Sequence, residues 1–414
     1  MGHGITIRRA LPRYGLNPMH LNPSFAATVS PPVMEARRWL QETPPPAHLP
    51  LINVSQAAPV DPPPESLRQA MAEAILHQET THIYGPDLGL PALRAELAAQ
   101  ISDVYKGDVK EAQVAITAGC NQAFAAICAT LAGPGDAVML PTPWYFNHKM
   151  WLDMSGVATQ ILPTGSDLLP DPAEAEKRIT SATRAIALTS PNNPGGVEYP
   201  ADLLRAFYEL AKRHGIALIV DETYRDFHSQ TGAPHTLFQD PDWAETLVHL
   251  YSFSKSYRLT GHRVGALATS QARLAEVEKF IDTVTICAPQ LGQFAALWGM
   301  QNLGDWLAEQ RLEILNRRTA MEKAFAELSG WEMMGCGAYF AYGTHPFADE
   351  PSDALAQRLV RDHGVLLLPG TMFAPTLSEG GNGSAERQLR VAFANIDSNG
   401  IEALAERLKA VGPA

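Results

Sequence analysis

Cysteine is scarce in this 414-residue chain. Its four residues, Cys120, Cys128, Cys287 and Cys336, form no CxxC pair. That spacing excludes a disulfide-stapled scaffold and the common zinc patterns, and scattered thiols suit a reducing, cytoplasmic compartment. Each is expected to be a small buried residue. No run of eighteen apolar residues occurs, so no membrane-spanning helix is expected. The first thirty residues hold "IRRALPR" but no apolar leader core, so no signal peptide is expected. Basic clusters with interleaved aromatics are also absent. Lys and Arg total 32 against 44 Asp and Glu, a net charge of −12, which repels nucleic acid and anionic membranes. His148, His262 and His363 show no metal-ligand spacing, so no metal is expected and all three are assigned structural roles. Internal repeats and low-complexity segments are missing.

The composition that remains is that of a globular protein with ample core, 46% hydrophobic and 18% charged. The length suits two or three domains. After an irregular start to about Ser30, "PPVMEARRWL" predicts a short helix and "ETPPPAHLP" (42–50) a connector. Short apolar runs then alternate with amphipathic helices. The runs are 113–117, 137–141, 184–190, 216–221, 246–252 and 264–269. They are continuously apolar, as strands covered on both faces are. One intervening helix carries Phe124, Ile127, Cys128 and Leu131 and closes at Gly133. Another, 201–214, carries Leu203, Leu204, Phe207, Leu210 and Ala211 and ends at Gly215. Beyond residue 300 a helical segment (303–329), "GAYFAYG", a helix at 352–363 capped by Ser352, "LRVAFAN" and a last helix from 400 follow. The expected fold class is α/β. A large domain (50–300) has a mostly parallel central sheet flanked by helices, and both chain ends (1–49 and 301–414) build a smaller α+β domain.

Polar residues gather where the predicted strands end, the edge at which open α/β sheets bind ligands. Asp221 ends one run, Asn193 follows another, and Ser252 and Lys255 follow a third. "TAGCNQ" places Gly119, Cys120 and Asn121 at a helix start, whose free N–H groups attract phosphate. Ser252, Ser254 and Arg263 can add hydroxyl and guanidinium donors. A lysine able to form an imine, a carboxylate for a pyridine nitrogen and a phosphate loop together describe a pyridoxal 5′-phosphate site.

The chain resembles the aspartate aminotransferase superfamily, the class I/II pyridoxal-phosphate enzymes of fold type I. The resemblance is carried, in order, by "YGPDLGLPALR" (84–94), "TAGCNQA" (117–123), "PTPWY" (141–145), "SPNNPGG" (190–196), "DETY" (221–224), "SFSKSYRLTGHRVG" (252–265) and "LRVAFAN" (389–395). It implies that Lys255 holds the cofactor's aldehyde carbon and shuttles the proton, with Asp221 as the pyridinium partner. Asn193 and Tyr224 resemble the residues that bond the phenolic oxygen, and Tyr145, or Trp144 beside it, the aromatic stacked on the ring. Ser252, Ser254, Arg263, Gly119, Cys120 and Asn121 resemble the phosphate site, and Tyr84 the tyrosine that reaches the neighbouring subunit's cofactor. Arg390 resembles the arginine that grips the substrate α-carboxylate, a group Asn193 also adjoins. Ala57 stands where many relatives have a glycine beside that carboxylate, which adds a methyl group near the substrate. The implied activity is ping-pong amino transfer from an L-amino acid to a 2-oxo acid in a homodimer with shared sites. A C–S β-lyase on the same scaffold is the alternative. A non-catalytic regulator is disfavoured because no helix-turn-helix pattern precedes residue 50. The segment "TICAPQLGQ" (285–293), where some relatives place a second substrate cation, has no Arg or Lys. That favours neutral, aromatic or broad donors over a dedicated aspartate enzyme. Tyr339 and Phe340 are expected in the core.

Overall fold

The computed structural model describes residues 19–412, so the "IRRALPR" stretch and the expectations placed on it lie outside the described residues. The strands are β1 (Ile52–Asn53), β2 (Val114–Thr117), β3 (Ala137–Thr142), β4 (Ala158–Pro163), β5 (Thr183–Thr189), β6 (Ala217–Asp221), β7 (Leu247–Ser252), β8 (Gly265–Ala268), β9 (Glu332–Gly337), β10 (Phe340–Thr344), β11 (Val365–Leu366), β12 (Leu368–Pro369) and β13 (Gln388–Val391). Seven of them form one sheet in the order β2-β8-β7-β6-β5-β3-β4. All pair in parallel except β8, which runs antiparallel to both β2 and β7. This is the mostly parallel sheet expected from continuously apolar runs.

Alternate residues of the sheet feed two apolar clusters. One face packs Ile116, Met139, Ile186 and Val220 against Leu97, Phe207 and Phe238. The other packs Ala115, Val138, Ala187 and Ile219 against Phe124, Ile127 and Val277. The helix Ala201–His214 buries Leu204, Phe207, Tyr208, Leu210 and Ala211, and Gly215 closes it at φ 63°. Positive φ costs glycine little, so the chain turns there into β6.

A second, antiparallel sheet has the order β12-β13-β10-β9, and β1 pairs in parallel with β11. Its apolar cluster joins Trp39, Ile52 and Val54 to Phe325, Phe340, Leu359 and Phe393, so both ends of the chain meet in one core. Tyr339 and Phe340 are buried in it.

Local departures from expectation have local causes. The stretch before Ser30 contains a short helix, Pro23–Ala27, with the Asn22 side chain accepting from the Ser24 N–H. Ser352 does not cap its helix. Pro351 occupies the cap, and the buried Ser352 hydroxyl donates to the Ala385 carbonyl instead. The helix Cys120–Leu131 ends on extended Ala132, one residue before Gly133. The long helix spans Gly304–Ala326, and the last begins at Ser398 because the Asp397 carboxylate caps it. β4 was not expected from the sequence. Among the described residues no helix is long and apolar enough to cross a membrane.

Candidate active site

Five parallel strands deliver site residues at their carboxyl ends. β2 leads through Gly119 to Cys120, β3 to Tyr145, β5 to Asn193, β6 ends on Asp221 and β7 ends on Ser252. β8 contributes from its start because it runs the other way: Arg263 precedes Gly265, which sits opposite both Thr117 and Ser252 in the ladder. Antiparallel β8 thus carries an arginine to the edge that parallel strands reach with their ends.

These residues line one cavity of about 350 Å³. Its walls include Ala57, Cys120, Asn121, Tyr145, Asn193, Asp221, Tyr224, Ser252, Ser254, Lys255, Arg263 and Arg390. Gly119 does not line it but caps the helix behind it at φ 89°. Trp144 is buried in the core, and Tyr145 faces the cavity. Tyr84 is not brought to this cavity; it is 75% exposed.

Lys255 lies on the short helix Phe253–Ser256, and its Nζ donates to the Ala57 carbonyl at 2.6 Å. Burial first, and then the charges of Arg263 and Arg390, lower its pKa to about 8. A neutral amine is therefore accessible near physiological pH, as a nucleophile or general base requires.

Asp221 is buried. Its Oδ1 accepts from the Thr223 N–H at 3.0 Å, the Thr223 hydroxyl at 2.7 Å and the Cys120 thiol at 3.6 Å. Its Oδ2 lies 3.3 Å from His148 Nε2. Burial pushes the carboxyl up, but the His148 contact and the Thr223 bonds prevail and hold it below the usual range. An ionised carboxylate inside a cavity is suited to face a cationic ring nitrogen. His148, assigned only a structural role from the sequence, is thus a neighbour of the key carboxylate, stacked on Phe124 at 3.7 Å. No local signal marked it, because its partner Asp221 is distant in sequence.

The phosphate-like corner is shaped by glycines. A Cβ on Gly119 would stand 2.2 Å from Arg263 Nη2, and one on Gly265 would stand 2.5 Å from the Cys120 nitrogen. The Cys120 and Asn121 N–H groups open the helix and lack intrahelical acceptors. The Ser252 and Ser254 hydroxyls share this corner. A helix N-terminus, two hydroxyls and a guanidinium fit a phosphate monoester.

Arg390, on β13, is fully buried between the rings of Phe373 and Phe340, 4.7 and 5.2 Å away. It donates to Asn193 Oδ1 at 3.1 Å and to the Ser55 carbonyl, while its Nε has no partner among the described residues. Burial lowers its pKa to about 10, so it remains charged at neutral pH. A buried cation with unspent donors is poised for a carboxylate. Burial likewise raises the Tyr224 phenol well above its usual value, so it stays a proton donor.

Thr189, Thr223, Phe146, Asn147 and Arg37 also line the cavity and were not singled out from the sequence. Among the described residues no cluster of three His, Cys, Asp or Glu is placed to hold a metal ion.

Comparison with known proteins extends this picture. The family model for aminotransferase class I and II matches residues 50–408. The aromatic aminotransferase ISS1 of Arabidopsis thaliana is 30% identical over 79% of this chain and 81% of its own. An aspartate aminotransferase of Thermotoga maritima is 27% identical over 78% of this chain and 84% of its own. Among solved structures, the aspartate aminotransferase of Thermus thermophilus with maleate superposes at a TM-score of 0.83 and 22% identity, covering 94% of this chain and 99% of that one. YbdL of Escherichia coli, described as having a methionine aminotransferase function, reaches 0.83 at 22% identity over 95% of this chain and 100% of that one. At that identity the structural likeness is one of fold.

Proposed function

The chain belongs to the class I and II aminotransferases, and on that premise we propose that its cofactor is pyridoxal 5′-phosphate, held at the cavity just described. It is a transaminase, and the named relatives lend the lyase alternative no support. The observation that carries the cofactor assignment is the convergence of Lys255, Asp221, Arg263 and Arg390 on one cavity.

Bound there, the cofactor supplies an aldehyde for covalent attachment and an electron-withdrawing ring that stabilises a carbanion at Cα. The residues supply the rest. Arg263, the two serines and the N–H groups of Cys120 and Asn121 hold the phosphate. Asp221, fixed by Thr223 and His148, keeps the ring nitrogen protonated. Asn193 and Tyr224 would hydrogen-bond the phenolic oxygen, and Tyr145 would supply the aromatic face for the ring. Arg390 binds the substrate α-carboxylate and fixes Cα. The Lys255 amine would act as the base that takes the proton from the substrate Cα. The same steps in reverse pass the amino group to a second 2-oxo acid, so the kinetics are ping-pong.

The division into a cofactor-binding domain (50–300) and a smaller domain from the two chain ends belongs to the same proposal. So does a homodimer, supported by the exposure of Tyr84 beside exposed Ile75, Leu76 and Ile83. A cytoplasmic location rests on four unpaired cysteines. The absence of a cation in 285–293 supports neutral or aromatic amino donors. The test is a panel of amino donors and then 2-oxo acids, followed through the cofactor's absorbance. We expect reversible conversion between the two cofactor forms, lost in Lys255→Ala. A Lys255→Ala protein cycling at the wild-type rate would refute the assignment.

A further inference from the structure

Lys255 sits on a helix of a single turn, Phe253–Ser256. One turn fixes about six backbone dihedrals for one hydrogen bond, so it does not hold itself. Its closing bond, from the Tyr257 N–H to the Phe253 carbonyl, is long at 3.3 Å. The Ser252 hydroxyl accepts from the Ser254 N–H, also at 3.3 Å, which is a weak cap. A group outside the turn must therefore fix the lysine.

Asp226 is that group. It lies on the single 3-10 turn Arg225–Phe227, directly after Tyr224. Its Oδ2 accepts from the Tyr251 hydroxyl at 2.7 Å and from the Ser256 hydroxyl at 2.5 Å, and those two hydroxyl oxygens lie 2.7 Å apart. Tyr251 and Ser256 flank Lys255 in sequence, and both are buried. One carboxylate oxygen thus closes a bracket around residues 251–256. The bracket is itself braced. The Arg225 guanidinium lies 4.1 Å over the Tyr251 ring, and its Nε is 3.5 Å from Asp226 Oδ1. Phe253 meets the same ring edge-on at 5.0 Å. Burial first, and then the Asp226 carboxylate, push the Tyr251 phenol well above its ordinary value, so it stays a donor. Asp226, Tyr251 and Ser256 do not line the cavity, so they reach it through the turn they hold.

We propose that Asp226 is a positioning residue for Lys255: by holding Tyr251 and Ser256 on one oxygen, it fixes the turn from which the lysine enters the cavity. The proposal rests on the transaminase reading and adds to it a residue that touches neither cofactor nor substrate. The same carboxylate ties this turn to the segment that carries Asp221 and Tyr224. The lysine and the groups facing the ring are then set on one frame.

The test uses two probes on the apoprotein. Pyridoxal phosphate attaches to a lysine. Pyridoxamine phosphate has an amine in place of the aldehyde and cannot, so its binding reports the rest of the site. In Asp226→Ala and in Ser256→Ala, attachment of pyridoxal phosphate, followed by absorbance, is expected to slow about tenfold, less than the roughly hundredfold that a 1 Å misplacement can cost. Calorimetric binding of pyridoxamine phosphate stays as in wild type. The single-turnover rate at saturating amino donor falls by a similar factor, with the half-saturating concentration unchanged because Arg390 is untouched. Asp226→Asn, which keeps an acceptor oxygen, recovers part of the loss. The double variant is no slower than Asp226→Ala, because both changes break one bracket. Ser256→Ala deletes a single hydroxyl and gives the same reading should Asp226→Ala fail to fold. A cluster that only stabilises the fold would lower the melting temperature and leave attachment per folded molecule at the wild-type rate. That result, or a loss of pyridoxamine phosphate binding in step with attachment, overturns the proposal. A wild type to which pyridoxal phosphate does not attach overturns the cofactor reading instead.

Discussion

Asp221 and Glu222 are neighbours in sequence, both buried, both held below the usual carboxylate range, yet they belong to different regions of the molecule. At the end of β6 successive side chains point to opposite sides. Asp221 enters the cavity and meets Thr223, Cys120 and His148. Glu222 turns away into a closed cluster. There it accepts from the Tyr105 hydroxyl, and its Oε2 lies 2.8 Å from His249 and 3.4 Å from His235. Burial opposes ionisation in both, and hydrogen bonds with nearby histidines overcome it in both. A depressed carboxylate pKa therefore does not identify the working residue. Access to a cavity shared with Lys255 and three arginines is what sets Asp221 apart.

Substitutions should separate the two regions. Asp221→Asn keeps the shape but removes the charge that, on the proposed reading, faces the ring nitrogen. We expect the rate of amino transfer to fall roughly 10²–10³-fold, as when a preorganised electrostatic group is lost, with the melting curve little changed. Glu222→Gln should do the reverse. Breaking a buried charged cluster is expected to cost about 3 kcal/mol in guanidinium unfolding, with the residual kcat per folded molecule much closer to wild type than that of Asp221→Asn. Equal losses of activity in the two variants would erase the distinction.

His148→Phe preserves a ring against Phe124 and deletes the contact to Asp221. A hydrogen bond to a charged group is worth about 1.5–3 kcal/mol, so a loss of about tenfold or somewhat more in the half-reaction rate is expected. The smallest effect is a displacement along the pH axis. On the proposed reading, cofactor capture by the apoprotein needs neutral Lys255, whose fraction rises with pH. The capture rate should therefore climb through a midpoint near 8 and then level. A lysine in water would keep the rate climbing towards its ordinary value of about 10.4.

The sheet was legible because its inner strands are apolar throughout. β4 escaped notice for the complementary reason. It is an edge strand, half-exposed along most of its length, and its Thr159 and Gln160 interrupt the apolar run. The helix Pro23–Ala27 was missed although Asn22 and Pro23 form a start signal, because it buries none of its residues and carries no apolar stripe. Residues at strand ends could be collected from motifs, since chain order and the edge rule place them together. His148 could not. It becomes notable only through a partner distant in sequence, Asp221. Ser352 shows the converse: its residue type suits a cap, but the nearby Ala385 carbonyl takes its hydroxyl.

The central claim is that Lys255 is the point of covalent attachment. Borohydride reduction of the cofactor-loaded protein, followed by digestion and mass spectrometry, tests it most directly. The pyridoxyl phosphate mass is expected on the peptide carrying Lys255 and on no other. A label on a different lysine, or none on the Lys255 peptide, would contradict it.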